Sequence, residues 1–368
     1  QWLFDDVLPL PKIAARQGSL HWLRAYDLAP CRNGHMMITL TPTPDHAFQM
    51  MVDEGFDEGH EWLGYDVEEL LEQIDDAMNT MRKWVQTHDA MDLWEKAQER
   101  HVAIGAVHEI SEACSSPQFE HRNFFAQNQA SSVRQPGRLV RFSRTPSNPL
   151  KPPPESETQI EEVIDRWSQA EQIHVNEQFE ESEPSLPLKG LRVLDLTWVL
   201  AGPFATRMLA DLGADVIRVQ NEEHSTLVNR PDYPYYFVWG RGKRSATLDM
   251  KHPQALKTIR KLIENCDVLI ENYSAGVLDG WGLDWETVKN WNPRLIYVSM
   301  SGCGHDGPWS HVISYAPTVH AICGITHLTN FADRGDVGPG FSLNDHLAGF
   351  AAATSTMAAV LERDTSGL

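Results

Sequence analysis

From Leu188 onward, short apolar runs rich in β-branched residues alternate with longer stretches of helical periodicity, and this constrains the fold more than any other feature. Residues 192–197, 215–219, 267–271 and 295–300 read as strands, and 204–212 and 253–265 as helices between them. Strands alternating with helices require crossover connections, so the expected class is α/β: an open parallel sheet with crossover helices, preceded by a smaller α+β region. Ligands of such sheets sit outside the carboxyl ends of the strands. The loops after Thr197, Val219, Glu271 and Met300 are therefore where chemistry is expected. Neither a GxGxxG fingerprint nor a Walker A loop is present, which weakens both common nucleotide readings.

The chain before Leu188 has a different texture. Residues 35–40 read as a strand, and 66–86 as one helix with Val67, Leu70, Leu71, Ile74, Met78 and Met81 on a single face. A second helix is expected over 89–100, with Thr87 as a possible cap. Residues 134–187 collect prolines and glutamates and read as a linker carrying one short helix near 160–170.

Composition closes several routes. A net charge of −20 argues against nucleic acid as a partner, because such binders need a basic face to displace counterions. No apolar run approaches the roughly 20 residues of a membrane-spanning helix. The 5 cysteines are scattered, with no spacing that makes a disulfide framework or a zinc site, so reduced thiols in a cytoplasmic protein are expected. The chain starts at Gln1 without a methionine and stops just after a helical stretch, so truncation at both ends is expected.

Several segments from Leu188 to the end carry a family resemblance: LKGLRVLDLTWVLAGPFATRMLADLGADVIRV at 188–219, GKRSATLDMK at 242–251, DVLIENYSAGVLDGWGL at 267–283, NPRLIYVSMSGCGHDGPW at 292–309 and NDHLAGFAAATSTMAAVLER at 344–363. In order and spacing they resemble the class III CoA-transferase family (CaiB/BaiF), also called the formyl-CoA transferase family. The earlier region resembles the other half of the same unit. HMMITLTPTPDHAFQMM at 35–51 is similar to a small-domain strand and helix, 94–125 to the segment after that domain, and QPGRLVRFSRTP at 135–146 to its closing strand. The resemblance thus implies a tandem fusion cut at both ends. Residues 1–133 would be the back part of one unit, 134–187 the closing strand and linker, and 188–368 the CoA-binding half of a second. Family members interlock as dimers, so the resemblance also implies an interlocked dimer or an intramolecular pseudo-dimer, with residues 19–110 covering the cleft of 188–368. The family's glycine-rich active-site loop has no counterpart in residues 1–368.

The implied chemistry passes CoA between an acyl-CoA and a free carboxylic acid, with CoA as substrate rather than resident cofactor. A carboxylate attacks the thioester, becomes a mixed anhydride and then carries CoA itself. Asp345 matches the family's catalytic aspartate. It opens an apparent helix, whose free N–H groups are expected to keep it ionised, and by local pattern alone it also reads as a plain N-cap. The family's nucleotide contacts correspond to Leu248, Lys251, Asn272 and Tyr273, and Val199 falls where pantetheine and thioester lie. Arg244 reads equally as a phosphate contact or a structural ion pair. Departures from the prototype are Asn221 for an arginine, Gln220 for an acid, Gly280 for a cation and Leu200 for a glutamine near the sulfur. The racemases of the family use a histidine where Ser314, Tyr315 and Ala316 stand here, so transfer is preferred over racemisation; His305, His311 and His320 lie nearby. Among the 12 tryptophans, Trp198 and Trp239, with Tyr233, Tyr235 and Tyr236, are expected beside the cleft, as core packing or as aromatic walls for a cationic acid. Tandem fusions of the family acting on dimethylsulfoniopropionate motivate the second option.

Overall fold

A computed structural model describes residues 24–40, 43–127, 133–146, 159–169, 185–221, 234–329, 333 and 337–367. The first region builds a three-stranded antiparallel sheet from β1 (Tyr26–Cys31), β2 (Gly34–Thr39) and β3 (Ile104–Ala106). The stretch expected as one helix breaks at Gln73, whose backbone leaves helical geometry, into Val67–Glu72 and Ile74–Val85. Asp66 and Glu69 form a reciprocal capping box at the first of these. Asp89, not Thr87, stands before helix Ala90–Glu99. The Thr87 hydroxyl instead donates back to Trp84 O at 2.7 Å, closing the preceding helix. Met36, Ile38, Phe48, Met51, Met78, Trp84 and Ile104 are buried together as the core of this region. The closing strand expected over 135–146 is shorter: β4 (Phe125–Gln127) pairs with β5 (Arg134–Pro136), and the ladder ends at Pro136, which has no N–H to donate. Helix Ile160–Gln169 appears where a short helix was expected, and most of the surrounding linker lies outside the described residues.

The second region is the expected α/β body. Its strands are β6 (Arg192–Asp195), β7 (Asp215–Gln220), β8 (Arg244–Thr247), β9 (Val268–Glu271) and β10 (Ile296–Ser299), all parallel in the order β10-β9-β6-β7-β8. The chain runs outward from β6 through β7 to β8, then crosses to the other side of β6 for β9 and β10. The order therefore reverses between β6 and β9, and a crevice opens there at the carboxyl ends. Strand β8, which the sequence pattern did not reveal, is an edge strand whose four residues are all exposed, so it lacks apolar alternation. The long helix Leu343–Ser366 packs along helix Ala201–Asp211, and Gly349 permits the approach: a Cβ there would stand 2.8 Å from Ala201 O.

The two regions share a core. Val312 and Ile322 are buried in the same cluster as Met36 and Trp94, and helix Ala316–Ile322 lies against β2 and β3. Gly105 of β3 sits so close to that helix that a Cβ would meet Thr318 O at 3.1 Å. Among the described residues no helix is long and apolar enough to cross a membrane.

Candidate active site

The loops at the β6–β9 crevice enclose a cavity of about 260 Å³. One side is made by Trp198, Val199 and Leu200 after β6, and another by Asn272, Tyr273 and Ser274 after β9. Met300 and Ser301 follow β10, and Ser310, Ser314 and Tyr315 continue that wall. The floor is the start of the long helix, with Asn344 and Asp345.

Beneath the first loop lies a buried charge network. Asp195, at the end of β6, is fully buried. Its carboxylate accepts from Lys243 Nζ at 3.0 Å, from the Thr206 hydroxyl at 2.6 Å and from the Thr197 N–H at 2.9 Å. Lys243 Nζ also donates to Pro203 O at 2.9 Å and Thr206 Oγ1 at 2.7 Å. Burial works against the charge on Asp195, yet the Lys243 and Arg218 cations and the threonine hydroxyls outweigh it and hold the carboxyl below its usual range. Above this network Val199 takes φ +60°, a left-handed conformation that a β-branched residue rarely adopts. The Asn272 amide clasps its neighbour, accepting the Trp198 N–H at 2.9 Å and donating to Trp198 O at 3.0 Å. Tyr273 then stacks on Trp198, with centroids 5.9 Å apart and planes 15° apart. Burial pushes the Tyr273 phenol up to about 12.

Asp345 is the third residue of helix Leu343–Ser366, with Ser342 at the cap position, so the plain N-cap reading is not what the fold contains. The expectation of a carboxyl kept ionised by the helix start is also reversed: burial raises it from 3.8 to about 7. The N–H of Asn344, one residue earlier, donates to His320 Nε2 at 3.3 Å. His320 is 2% exposed, and burial keeps its ring neutral by lowering it from 6.5 to about 4. It joins the helix at the sheet of the first region to the helix carrying Asp345.

Of the residues singled out from sequence, Asp345, Val199, Asn272 and Tyr273 meet in this cavity. Leu248, Lys251 and Arg244 do not line it. Leu248 packs into the hydrophobic cluster of Ile259, Ile263 and Leu278, and its N–H donates to Gln220 O at 3.0 Å. Lys251 is exposed in the turn after β8, its N–H donating to Asp249 Oδ1 at 2.8 Å. Arg244 begins β8 and its guanidinium holds Asp215 at 2.6 Å, the geometry of the ion-pair alternative. Trp239 does not line the cavity but packs behind it with Leu200, Phe204 and His346, the core-packing alternative. Arg218 lies 5.5 Å over the Tyr236 ring, Tyr233 falls outside the described residues, and only the backbone of Tyr235 is described.

Tyr315, noted from sequence through the resemblance, lines the same cavity, and burial pushes its phenol above the ordinary range, so it stays protonated at neutral pH. The supports of the wall had no signal in the pattern. Residues from the first region hold the wall from behind. Gln98 accepts the Ile313 N–H at 2.8 Å, and Gln118 accepts the Trp309 N–H at 2.9 Å while donating to Asp306 O at 2.8 Å. Behind β9, Glu271 is 1% exposed and takes the Ser299 hydroxyl and the Tyr273 N–H, with His305 Nε2 at 3.4 Å. Among the described residues there is no cluster of side chains able to hold a metal ion.

The chain is 38% identical over 189 residues to succinyl-CoA:glutarate CoA-transferase of Mus musculus, covering 49% of this chain and 43% of that protein. It is 36% identical over 194 residues to succinate--glutarate CoA-transferase of Agrobacterium fabrum, covering 49% and 48%. A crystal structure of a CAIB/BAIF family protein from Brucella suis matches at 36% identity over 50% of this chain and 51% of that one, with a TM-score of 0.48. The chain spans about half the length of the curated relatives it matches. The model of CoA-transferase family III matches residues 7–159 and 188–368. With both of its regions matched, the chain belongs to CoA-transferase family III.

Proposed function

We propose that this chain moves CoA between carboxylic acids, with Asp345 as the nucleophile. The observation that carries the reading is the position of Asp345: a carboxyl on the floor of the one cavity that opens, among the cavities described, at the strand-order reversal. An Asp345 oxygen attacks the thioester carbonyl carbon, the C–S bond breaks, and CoA leaves as thiolate while a mixed anhydride forms. The thiolate attacks the Asp345 acyl carbon, releasing the first acid and leaving an aspartyl-CoA thioester. The incoming carboxylate then repeats both steps in reverse, and Asp345 returns as carboxylate. The weakened acidity of Asp345 fits this role, because a poorly solvated carboxylate is the more reactive nucleophile when it does ionise.

The relatives named above transfer CoA between succinate and glutarate by their names; for this chain the acids are inferred only as carboxylic acids. We further infer that residues 1–133 and 188–368 come from successive units, and that the first region does for this cavity what a partner subunit would do in a dimer. The hold of Gln98 and Gln118 on the cavity wall supports this. Leu248 and Lys251, on the same carboxyl edge but two strand spacings away (about 10 Å), are assigned to the nucleotide end of CoA. The free thiols support a cytoplasmic setting. Incubating the chain with an acyl-CoA and then with hydroxylamine or borohydride tests the nucleophile. A label at Asp345 that vanishes in Asp345→Ala is expected, and full activity in that variant would sink the assignment.

A further inference from the structure

Helix Leu343–Ser366 begins without a side-chain cap of its own, for Ser342 accepts no N–H of the first turn. The opening N–H groups of a helix have no acceptor within it. Here the Leu343 N–H turns back to Phe341 O at 2.8 Å, and the Asn344 N–H is taken from another helix, by His320 Nε2 at 3.3 Å. Asp345 is the next residue. A ring nitrogen accepts only while unprotonated, and burial keeps His320 neutral.

His320 is in turn anchored on the first region. Its helix, Ala316–Ile322, ends in carbonyls gripped by His108, whose N–H donates to Ala321 O at 3.1 Å and whose Nδ1–H donates to Ile322 O at 3.0 Å. Across a small cavity His320 faces Tyr26 and Leu28 of β1, and Gly338 and Gly340 on the approach to Ser342. The first turn that carries Asp345 therefore rests, through one histidine ring, on the sheet of the first region.

We propose that His320 is a positioning residue for the transfer reaction: by accepting the Asn344 N–H it fixes the first turn of the helix so that the Asp345 carboxyl is aimed at the thioester. The inference rests on the reading of Asp345 as nucleophile. A displacement of about 1 Å at a reacting group costs about 100-fold in rate, so a first turn without its own cap gains from an outside anchor. His320 is not among the described residues that line the cavity. Its loss should therefore slow the chemical step and leave ester binding alone.

The test uses the full chain with propionyl-CoA, butyryl-CoA and succinyl-CoA, each at a series of concentrations. Covalent labelling at Asp345 is followed by mass spectrometry in the unaltered chain and in His320→Leu, His320→Asn and His320→Gln, with melting curves to identify the variants that fold. The glutamine oxygen reaches as far as Nε2, and the asparagine oxygen falls one bond short. His320→Leu and His320→Asn are expected to lower the saturating rate by roughly tenfold or more with the half-saturating concentration unchanged, and His320→Gln to keep most of the rate. A folded Leu or Asn variant that labels at the unaltered rate would overturn the proposal, as would a folded Gln variant no faster than the folded Leu one, or a loss confined to the half-saturating concentration. Hydrogen exchange gives a check that needs no variant: the Asn344 amide of the unaltered chain is expected to exchange slowly, and exchange at the rate of an open amide would equally overturn it. No adduct with any of the esters on the unaltered chain would instead bring down the assignment of Asp345, and this inference with it.

Discussion

The side-chain amide of Asn272 pairs with both backbone groups of Trp198, Oδ1 taking the N–H at 2.9 Å and Nδ2 giving to the carbonyl at 3.0 Å. One side chain thereby extends the β6–β9 pairing by a step beyond the strands and fixes the loop in which Val199 is held left-handed.

Asn272→Leu removes both hydrogen bonds that the amide makes to the Trp198 backbone. The expected cost is about 1–3 kcal/mol in denaturant unfolding, accompanied by weaker acyl-CoA binding in titration calorimetry. Lost binding with unaltered stability would show that the amide acts on the nucleotide directly and not through the loop.

The acidity of Asp345 makes a signed prediction. The folded carboxyl keeps its proton up to about 7, whereas the ordinary value is 3.8. Between those two values the folded state binds more protons than the unfolded chain, so stability declines as pH rises through that window. Asp345→Asn, which cannot ionise, should melt above the unaltered chain at pH 8 and level with it below pH about 3.8. The labelling rate of the unaltered chain should climb with a midpoint about pH 7. A rate profile flat from pH 5 to 9 would contradict the burial of this group.

Arg244→Ala separates the two readings of that residue. Both members of the Arg244–Asp215 pair are largely exposed, at 65% and 47%, so the stability change should stay under about 1 kcal/mol. Acyl-CoA affinity should be unaltered, because the pair sits at the edge of the sheet opposite the cavity. A tenfold weaker Kd would favour the phosphate contact.

Lys243→Met strands the buried Asp195 carboxylate and is expected to cost about 3–5 kcal/mol. Adding Asp195→Asn to it should recover part of that loss, since the pair and not either member sets the balance. Equal stabilities for the single and double variants, read from chemical unfolding, would show that Arg218, Thr197 and Thr206 hold Asp195 without Lys243.

The strands β6, β7, β9 and β10 were legible because each is a short apolar run bounded by turn residues, and the helices between them keep helical periodicity. Strand β8 escaped because an exposed edge carries no such alternation, and the break at Gln73 escaped because the apolar face continues across it. Within the site, Asp345, Asn272, Tyr273 and Val199 could be singled out by resemblance at fixed spacing. The same resemblance left Arg244 balanced between two roles, and its partner Asp215 emerges only in the folded structure. Gln98 and Gln118 had no local signal, since what they do depends on segments that approach from elsewhere in the chain.

The amino-acid sequence alone determined a parallel α/β body and four of its five strands, because periodicity and turn chemistry are local properties of the chain, and its resemblance marked an aspartate at the start of the last long helix. The tertiary structure decided which loops meet at the β6–β9 reversal, that residues before position 128 brace the wall of the cavity, and how acidic Asp345 is. Those outcomes follow from burial and from contacts between residues distant in sequence, as with Gln98 and Ile313, and neither quantity exists until the chain has folded.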